Sequence, residues 1–220
     1  TSCYETLVWS LIGVFLLSLN YFIQNKILLF GLYNQKELLK GNLCVGITEA
    51  GAFIATSLNV RAVLSGPGRG FAESVAAAAL FFTLGQVCMI LFSVLFQLLT
   101  PYDDQAEARK GNAAAGIRFA SNLIALALLT STPLKKSEEV ATFFLFFGLA
   151  AIFLFLFGQL LDRLILPGNI NKEIEDDRNW GMPLISGVIL IVTAFMLDTL
   201  LPDIPCPGTP ARNAYEAYFR

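Results

Sequence analysis

With 220 residues, 55% of them hydrophobic and only 15% charged, and a mean hydropathy of +0.64, the chain is far too apolar for an ordinary soluble domain, which carries about 25% charge. A net charge of −2 supplies no cationic surface for phosphates and excludes nucleic acid as a partner. The absence of His removes the commonest metal and haem ligand and the usual general base near neutral pH. The length instead accommodates about six bilayer-crossing helices of ~20 residues, with little left for a soluble domain.

The first apolar run, 7–23, contains Asn20 and continues through Gln24, Asn25 and Lys26, which predicts a long helix whose last turns leave the bilayer. A polar loop, 34–41, ends in Glu37-Leu38-Leu39-Lys40-Gly41-Asn42. The second span, 42–64, carries small residues at Gly46, Ala50, Gly51, Ala52 and Ala55, which permit close helix contact where lipid offers no hydrophobic drive for association. Ser65-Gly66-Pro67-Gly68-Arg69-Gly70 is a turn cluster that ends it.

The third span, 72–99, ends at Thr100-Pro101-Tyr102-Asp103-Asp104. The earlier stretch then returns as Glu107-Ala108-Arg109-Lys110-Gly111-Asn112, and the fourth span, 113–129, again opens on small residues: Ala113, Ala114, Ala115 and Gly116. Ser131-Thr132-Pro133 is expected to break the chain there. The fifth span, 140–161, is rich in Phe and reads as a face for lipid, a hydrophobic pigment or a neighbouring subunit. An acidic loop, 172–180, leads through Arg178-Asn179 into the sixth span, 182–201, and a Pro-rich tail, 202–220, is expected to be irregular. The reading is an all-α polytopic membrane protein: one transmembrane domain, 1–201, of about six helices in three two-helix repeats at 7–64, 72–130 and 140–201.

The pattern of an apolar helix, a Pro-Tyr-Asp boundary, an acidic and basic loop and Lys-Gly-Asn opening an Ala- and Gly-rich helix resembles the bacterial inner-membrane family called domain of unknown function 350. Gln97 through Gly116 carry the likeness best; Lys40-Gly41-Asn42 and Arg178-Asn179-Trp180-Gly181 mark weaker copies. What the resemblance implies is architecture, because the family is named for having no assigned activity. In that light Gly51 and Gly187 serve helix packing.

Ionisable residues inside spans are costly and count as functional candidates. Glu49 lies seven residues after Asn42 and Arg118 six after Asn112, which on related helices puts both roughly 9 to 10 Å below one interface at ~1.5 Å per residue. An intramembrane ion pair between Glu49 and Arg118 is therefore expected, structural rather than a proton relay. Asp198 falls near the far end of the sixth span, on the side where Arg61 ends the second, and the two are expected to pair.

Asn42, Asn112 and Asn179 fit helix N-caps, with Gly41 and Gly111 easing the turn into the helix and Lys40 and Lys110 beside them; the alternative is a ring of amides at an ion or substrate entrance. Asn20, Asn59, Gln86 and Asn122 read as interhelical hydrogen-bonders. The four cysteines have no CxxC spacing, so no metal site is read; Cys44 and Cys88 are small hydrophobes, and Cys3 with Cys206 form a candidate disulfide because an even number of spans puts both termini on one side.

No nucleophile elbow, His or paired carboxylates of defined spacing supports an enzyme. The expectation is a non-enzymatic structural or assembly subunit docking into a larger membrane complex, in an energy-transducing membrane: a bacterial inner membrane or a plastid or mitochondrial one. Lipid surrounds it, pigments or lipids are the only bound groups envisaged, and its partners are other membrane subunits or further copies of itself. The alternative is a small ion or solute channel built from oligomerised repeats.

Overall fold

A computed structural model describes residues 3–27, 34–65, 70–136, 139–164 and 169–200. These residues form helices and no strands, in the order α1 (Cys3–Ile27), α2 (Asn34–Leu39), α3 (Leu43–Leu64), α4 (Phe71–Leu99), α5 (Asp104–Arg109), α6 (Ala113–Lys136), α7 (Val140–Leu164), α8 (Ile170–Glu175) and α9 (Gly181–Leu200). Six of the described helices, α1, α3, α4, α6, α7 and α9, are long and apolar enough to cross a bilayer. The order long, short, long occurs three times.

Two sequence expectations change. The polar connections 34–41, 103–112 and 169–180 are not plain loops, since each contains a helix of six residues. Asp103 accepts from the backbone N–H of Gln105 and Ala106, and Asn169 from that of Asn171, so α5 and α8 have capped starts. Burial of Ile170 and Ile174, one turn apart, holds α8 against the bundle.

The break expected at Ser131-Thr132-Pro133 does not occur, because α6 runs on through Pro133 to Lys136. Thr130 and Ser131 donate their hydroxyls to the carbonyls of Leu126 and Leu128, and the whole segment is buried. Burial against neighbouring helices outweighs the hydrogen bond that a proline removes.

The second long helices of the three units, α3, α6 and α9, lie side by side with α6 in the middle. Within its span 78% of α6 is buried in protein, against 11% for α1 and 22% for α7. The closeness of this row is set by glycine. A Cβ on Gly51 would collide with Ala120, one on Gly116 would lie 2.8 Å from the carbonyl oxygen of Cys44, and one on Gly187 would lie 2.8 Å from Cβ of Ser121. Such contacts let backbones approach and gain dispersion where no hydrophobic effect operates between helices. Gly51 and Gly187 thus do the packing work expected of them, joined by Gly116.

The first long helices wrap around the row. Helix α4 leans on α3 and α7 on α6, each against the second long helix of the preceding unit, whereas α1 leans on α3 of its own unit. An apolar core gathers Phe92, Phe119, Leu123, Leu126, Leu154 and Leu190 from α4, α6, α7 and α9. The Phe-rich helix α7 divides by face: Phe143 is buried edge-on against Phe81, while Leu145, Leu149, Ile152 and Leu156 are exposed.

Candidate functional site

At the start of each second long helix an Asn side chain caps the helix and bonds a carboxylate before it. Asn42 accepts from the N–H of Val45 at 3.1 Å, Asn112 from that of Ala114 at 3.0 Å, and Asn179 from that of Gly181 at 3.1 Å, which satisfies one orphan donor of each helix. Each amide Nδ2 donates to a carboxylate of the preceding short helix: Asn42 to Glu37 at 3.2 Å, Asn112 to Glu107 at 2.7 Å, Asn179 to Glu173 at 2.9 Å. The third spacing is one residue longer. Lys40 and Lys110 bind the same carboxylates at 2.6 and 2.5 Å. The Lys40 ammonium and the Asn42 amide hold Glu37 below the usual carboxylate range.

The residue before each Asn turns the chain with positive φ: 77° at Gly41, 71° at Gly111 and 50° at Arg178. Arg178 therefore adopts a conformation that glycine reaches without strain. Two of the amides reach further, across to the next unit. Asn42 donates to the carbonyl of Ala108 at 2.8 Å and Asn112 to that of Ile174 at 2.6 Å.

Deeper in the bundle, the expected pair between Glu49 and Arg118 is not formed. Arg118 engages Asp162 through two parallel hydrogen bonds, Nη1 to Oδ1 at 3.1 Å and Nη2 to Oδ2 at 2.5 Å, and so ties α6 to α7. Glu49 is buried beside Asn34 of α2, whose side chain bonds it. The two side chains face different ways: Glu49 turns toward its own unit's α2 while Arg118 turns toward α7. Asp162 was missed because it lies at the end of its helix, where an acidic residue reads as a boundary.

Asp198 also takes a different partner from the one expected. Lys135 reaches both its oxygens, at 3.1 and 2.8 Å, and the hydroxyls of Ser131 and Thr132 donate to it at 3.0 and 2.8 Å, while Arg61 is exposed on α3. Because α6 continues past Pro133, Lys135 is carried to the position that a broken chain would have left empty.

Of the polar residues read as interhelical bonders, Gln86 donates to Thr56 at 3.3 Å across α4 and α3, and Asn59 accepts from Thr130 of α6 at 3.4 Å. Asn122 instead donates to the Arg118 carbonyl of its own helix at 2.9 Å, and Asn20 is fully buried. Cys44 and Cys88 are free and buried; the side chain of Cys3, together with Cys206 and the tail 202–220, lies outside the described residues, as does any pairing of those cysteines.

The Arg118 and Asp162 pair closes the polar end of an apolar groove of about 270 Å³ between α4, α6, α7 and α9, lined by Phe92, Phe96, Leu154, Phe155 and Leu190. Tyr102 and Asp104 sit within electrostatic reach of Arg118. Among the described residues, the Tyr102 hydroxyl and Asp104 Oδ2 are buried without a hydrogen-bond partner. Burial pushes the Asp104 carboxyl up to about 7, against the lowering pull of Thr100 and Arg118, and pushes the Tyr102 phenol well above its usual value. Among the described residues no three His, Cys, Asp or Glu side chains come together as a metal site would need.

Comparison with known proteins agrees with the protein's membrane character. The chain is 25% identical over 126 residues to the UPF0719 transmembrane protein YshE of Bacillus subtilis (strain 168), a match covering 57% of this chain and 92% of that protein. It is 23% identical over 111 residues to the UPF0719 inner membrane protein YjfL of Escherichia coli (strain K12), covering 50% of this chain and 83% of the relative. No solved structure matches significantly. Six spanning helices and relatives of this kind make it an integral membrane protein of the bacterial inner-membrane type. A family profile, Domain of Unknown Function (DUF350), matches residues 1–64 and 70–201, and the chain belongs to that family.

Proposed function

We propose that the protein is a non-enzymatic structural or assembly subunit of a larger complex in an energy-transducing membrane. The observation that carries this reading is the use made of charge inside the bilayer. Arg118 with Asp162 ties α6 to α7, and Lys135 with Asp198 ties α6 to α9, so these charges neutralise each other between helices. Such pairs fix how helices meet at a cost in desolvation, which suits a rigid docking element. The apolar faces of α7 and α9 supply area for lipid and partner subunits.

Conduction of an ion or solute is the second reading, and one observation favours it. The Asp104 carboxyl is buried and half-satisfied within electrostatic reach of Arg118, which lines the groove, and burial pushes it up to about 7.

Reconstitution separates the two. Native mass spectrometry after gentle solubilisation is expected to retain co-purifying membrane subunits, and purified protein in liposomes is expected to pass ions and protons no faster than protein-free liposomes. Flux that disappears with Asp104→Asn overturns the structural reading in favour of conduction.

A further inference from the structure

The contacts between successive units follow one rule, and the rule leaves both ends of the row unfinished. The Asn at the start of α3 donates to a carbonyl in α5, and the Asn at the start of α6 donates to a carbonyl in α8. Asn179, at the start of α9, has the same cap and the same carboxylate partner, yet among the described residues it reaches no carbonyl of a further unit and is exposed. At the other end, the carbonyl of Leu38 matches that of Ala108: each accepts from the N–H of the glycine three residues on, at 2.9 and 3.1 Å. No Asn among the described residues donates to Leu38.

The same step repeats inside the bilayer. The residue nine after one Asn meets the residue eight after the next: Gly51 against Ala120, then Ser121 against Gly187. Continued outward, the next pair is Val188 on α9 with Ala50 on α3. Val188 is 52% exposed, and Ala50 is exposed as well. Helix α1 covers the opposite flank of that α3 face, with Tyr21 stacked on Phe53 at 6.4 Å, and leaves Ala50, Ile54, Ser57 and Arg61 open. On α9, Ile185, Val192 and Met196 are at least half exposed.

We propose that the chain associates head to tail with further copies of itself, α9 of one copy lying against α3 of the next and the Asn179 amide donating to the Leu38 carbonyl of the neighbouring copy. The occupant is a second copy because the vacant surfaces are the two halves of an interface that this chain already makes twice within itself. Such an interface is heterologous, so it closes into a ring or runs on as a filament. The inference stands apart from the structural reading above: ion flux would overturn that reading and leave this one intact.

Cysteine cross-linking in native membranes tests it. Full-length chains with Cys3→Ser and Cys206→Ser, and the buried Cys44 and Cys88 retained, carry either Ala50→Cys or Val188→Cys on different affinity tags. Oxidation is expected to give a dimer bearing both tags when the two are co-expressed, and no dimer from either variant alone. A second pair, Gly46→Cys with Gly181→Cys, probes the same interface one turn or more nearer the surface and serves if the first pair does not fold. Adding Asn179→Ala is expected to lower the cross-linked yield about fivefold, as loss of one interhelical hydrogen bond would. No mixed dimer from either pair, as when lipid or another protein covers these faces, overturns the proposal, as do dimers of a single variant or a yield unmoved by Asn179→Ala.

Discussion

Arg118 is the residue on which the interior electrostatics turn. Its guanidinium and the Asp162 carboxylate are 13% and 10% exposed, and their paired geometry is the one that suits Arg rather than Lys. Removing one partner leaves the other charged, buried and alone, which costs about 3 to 5 kcal/mol. Arg118→Ala is therefore expected to destabilise the protein strongly in detergent melts. Asp162→Ala added to it should recover much of the loss, while Glu49→Gln added to it should recover none; the reverse pattern would restore the Glu49 pairing that depth alone suggests.

Asp104 gives a pH signature. Its folded carboxyl is raised to about 7 from an ordinary 3.8, so between those values the folded state holds a proton that the unfolded state has lost. Stability from this group is greatest below pH 4, declines as pH rises and is lost above 7. Thermal melts at pH 5 and 8 should show Asp104→Asn raising stability more at pH 8 than at pH 5. An equal effect at both would mean that the carboxyl is not held protonated. Asp103 and Asp104 looked like one acidic boundary in sequence, yet Asp103 is an exposed cap and Asp104 is buried, because a helix begins between them.

At the scale of elements, the helices are separated by glycines whose sites differ sharply. A side chain at Gly116 would meet the Cys44 backbone of α3, whereas Gly148 on α7 has nothing within 4 Å. Gly116→Val is expected to push α3 from α6 and cost about 3 kcal/mol, while Gly148→Ala should be neutral or stabilise by up to about 1 kcal/mol through helix propensity. Unfolding in mixed detergent distinguishes them, and equal effects would mean that the glycine contact does not set the helix spacing. The long helices were legible from hydropathy to within a few residues at most ends. The short helices were not, since six residues lie below the length at which a helix stands by itself and only burial against the bundle makes them helical.

Across the whole molecule, α6 is clamped at both ends: near its start by Asp162 of α7 and near its finish by Asp198 of α9. Arg118 and Lys135 are 17 residues apart, about 25 Å along a helix. Without shared partners, the losses from Arg118→Ala and Asp198→Ala should add to within about 0.5 kcal/mol in the double variant. A large coupling would show instead that α6 responds as one lever. The same centrality explains why α6 tolerates Pro133: neighbours surround it, and its hydroxyls and its lysine find partners on α9.

The sequence by itself determined the class of molecule, the number of its spans and most of their limits, and the recurrent Asn that starts every second long helix, because these depend on local composition and on backbone groups that lipid cannot satisfy. It also marked Arg118 and Asp198 as costly and therefore paired. Only the tertiary structure decided the partners, since which carboxylate meets Arg118 depends on how α7 rotates against α6, and no local rule fixes that angle. In the same way the Asn residues were legible as caps, but the reach of Asn42 and Asn112 to the next unit follows from how the units lie side by side.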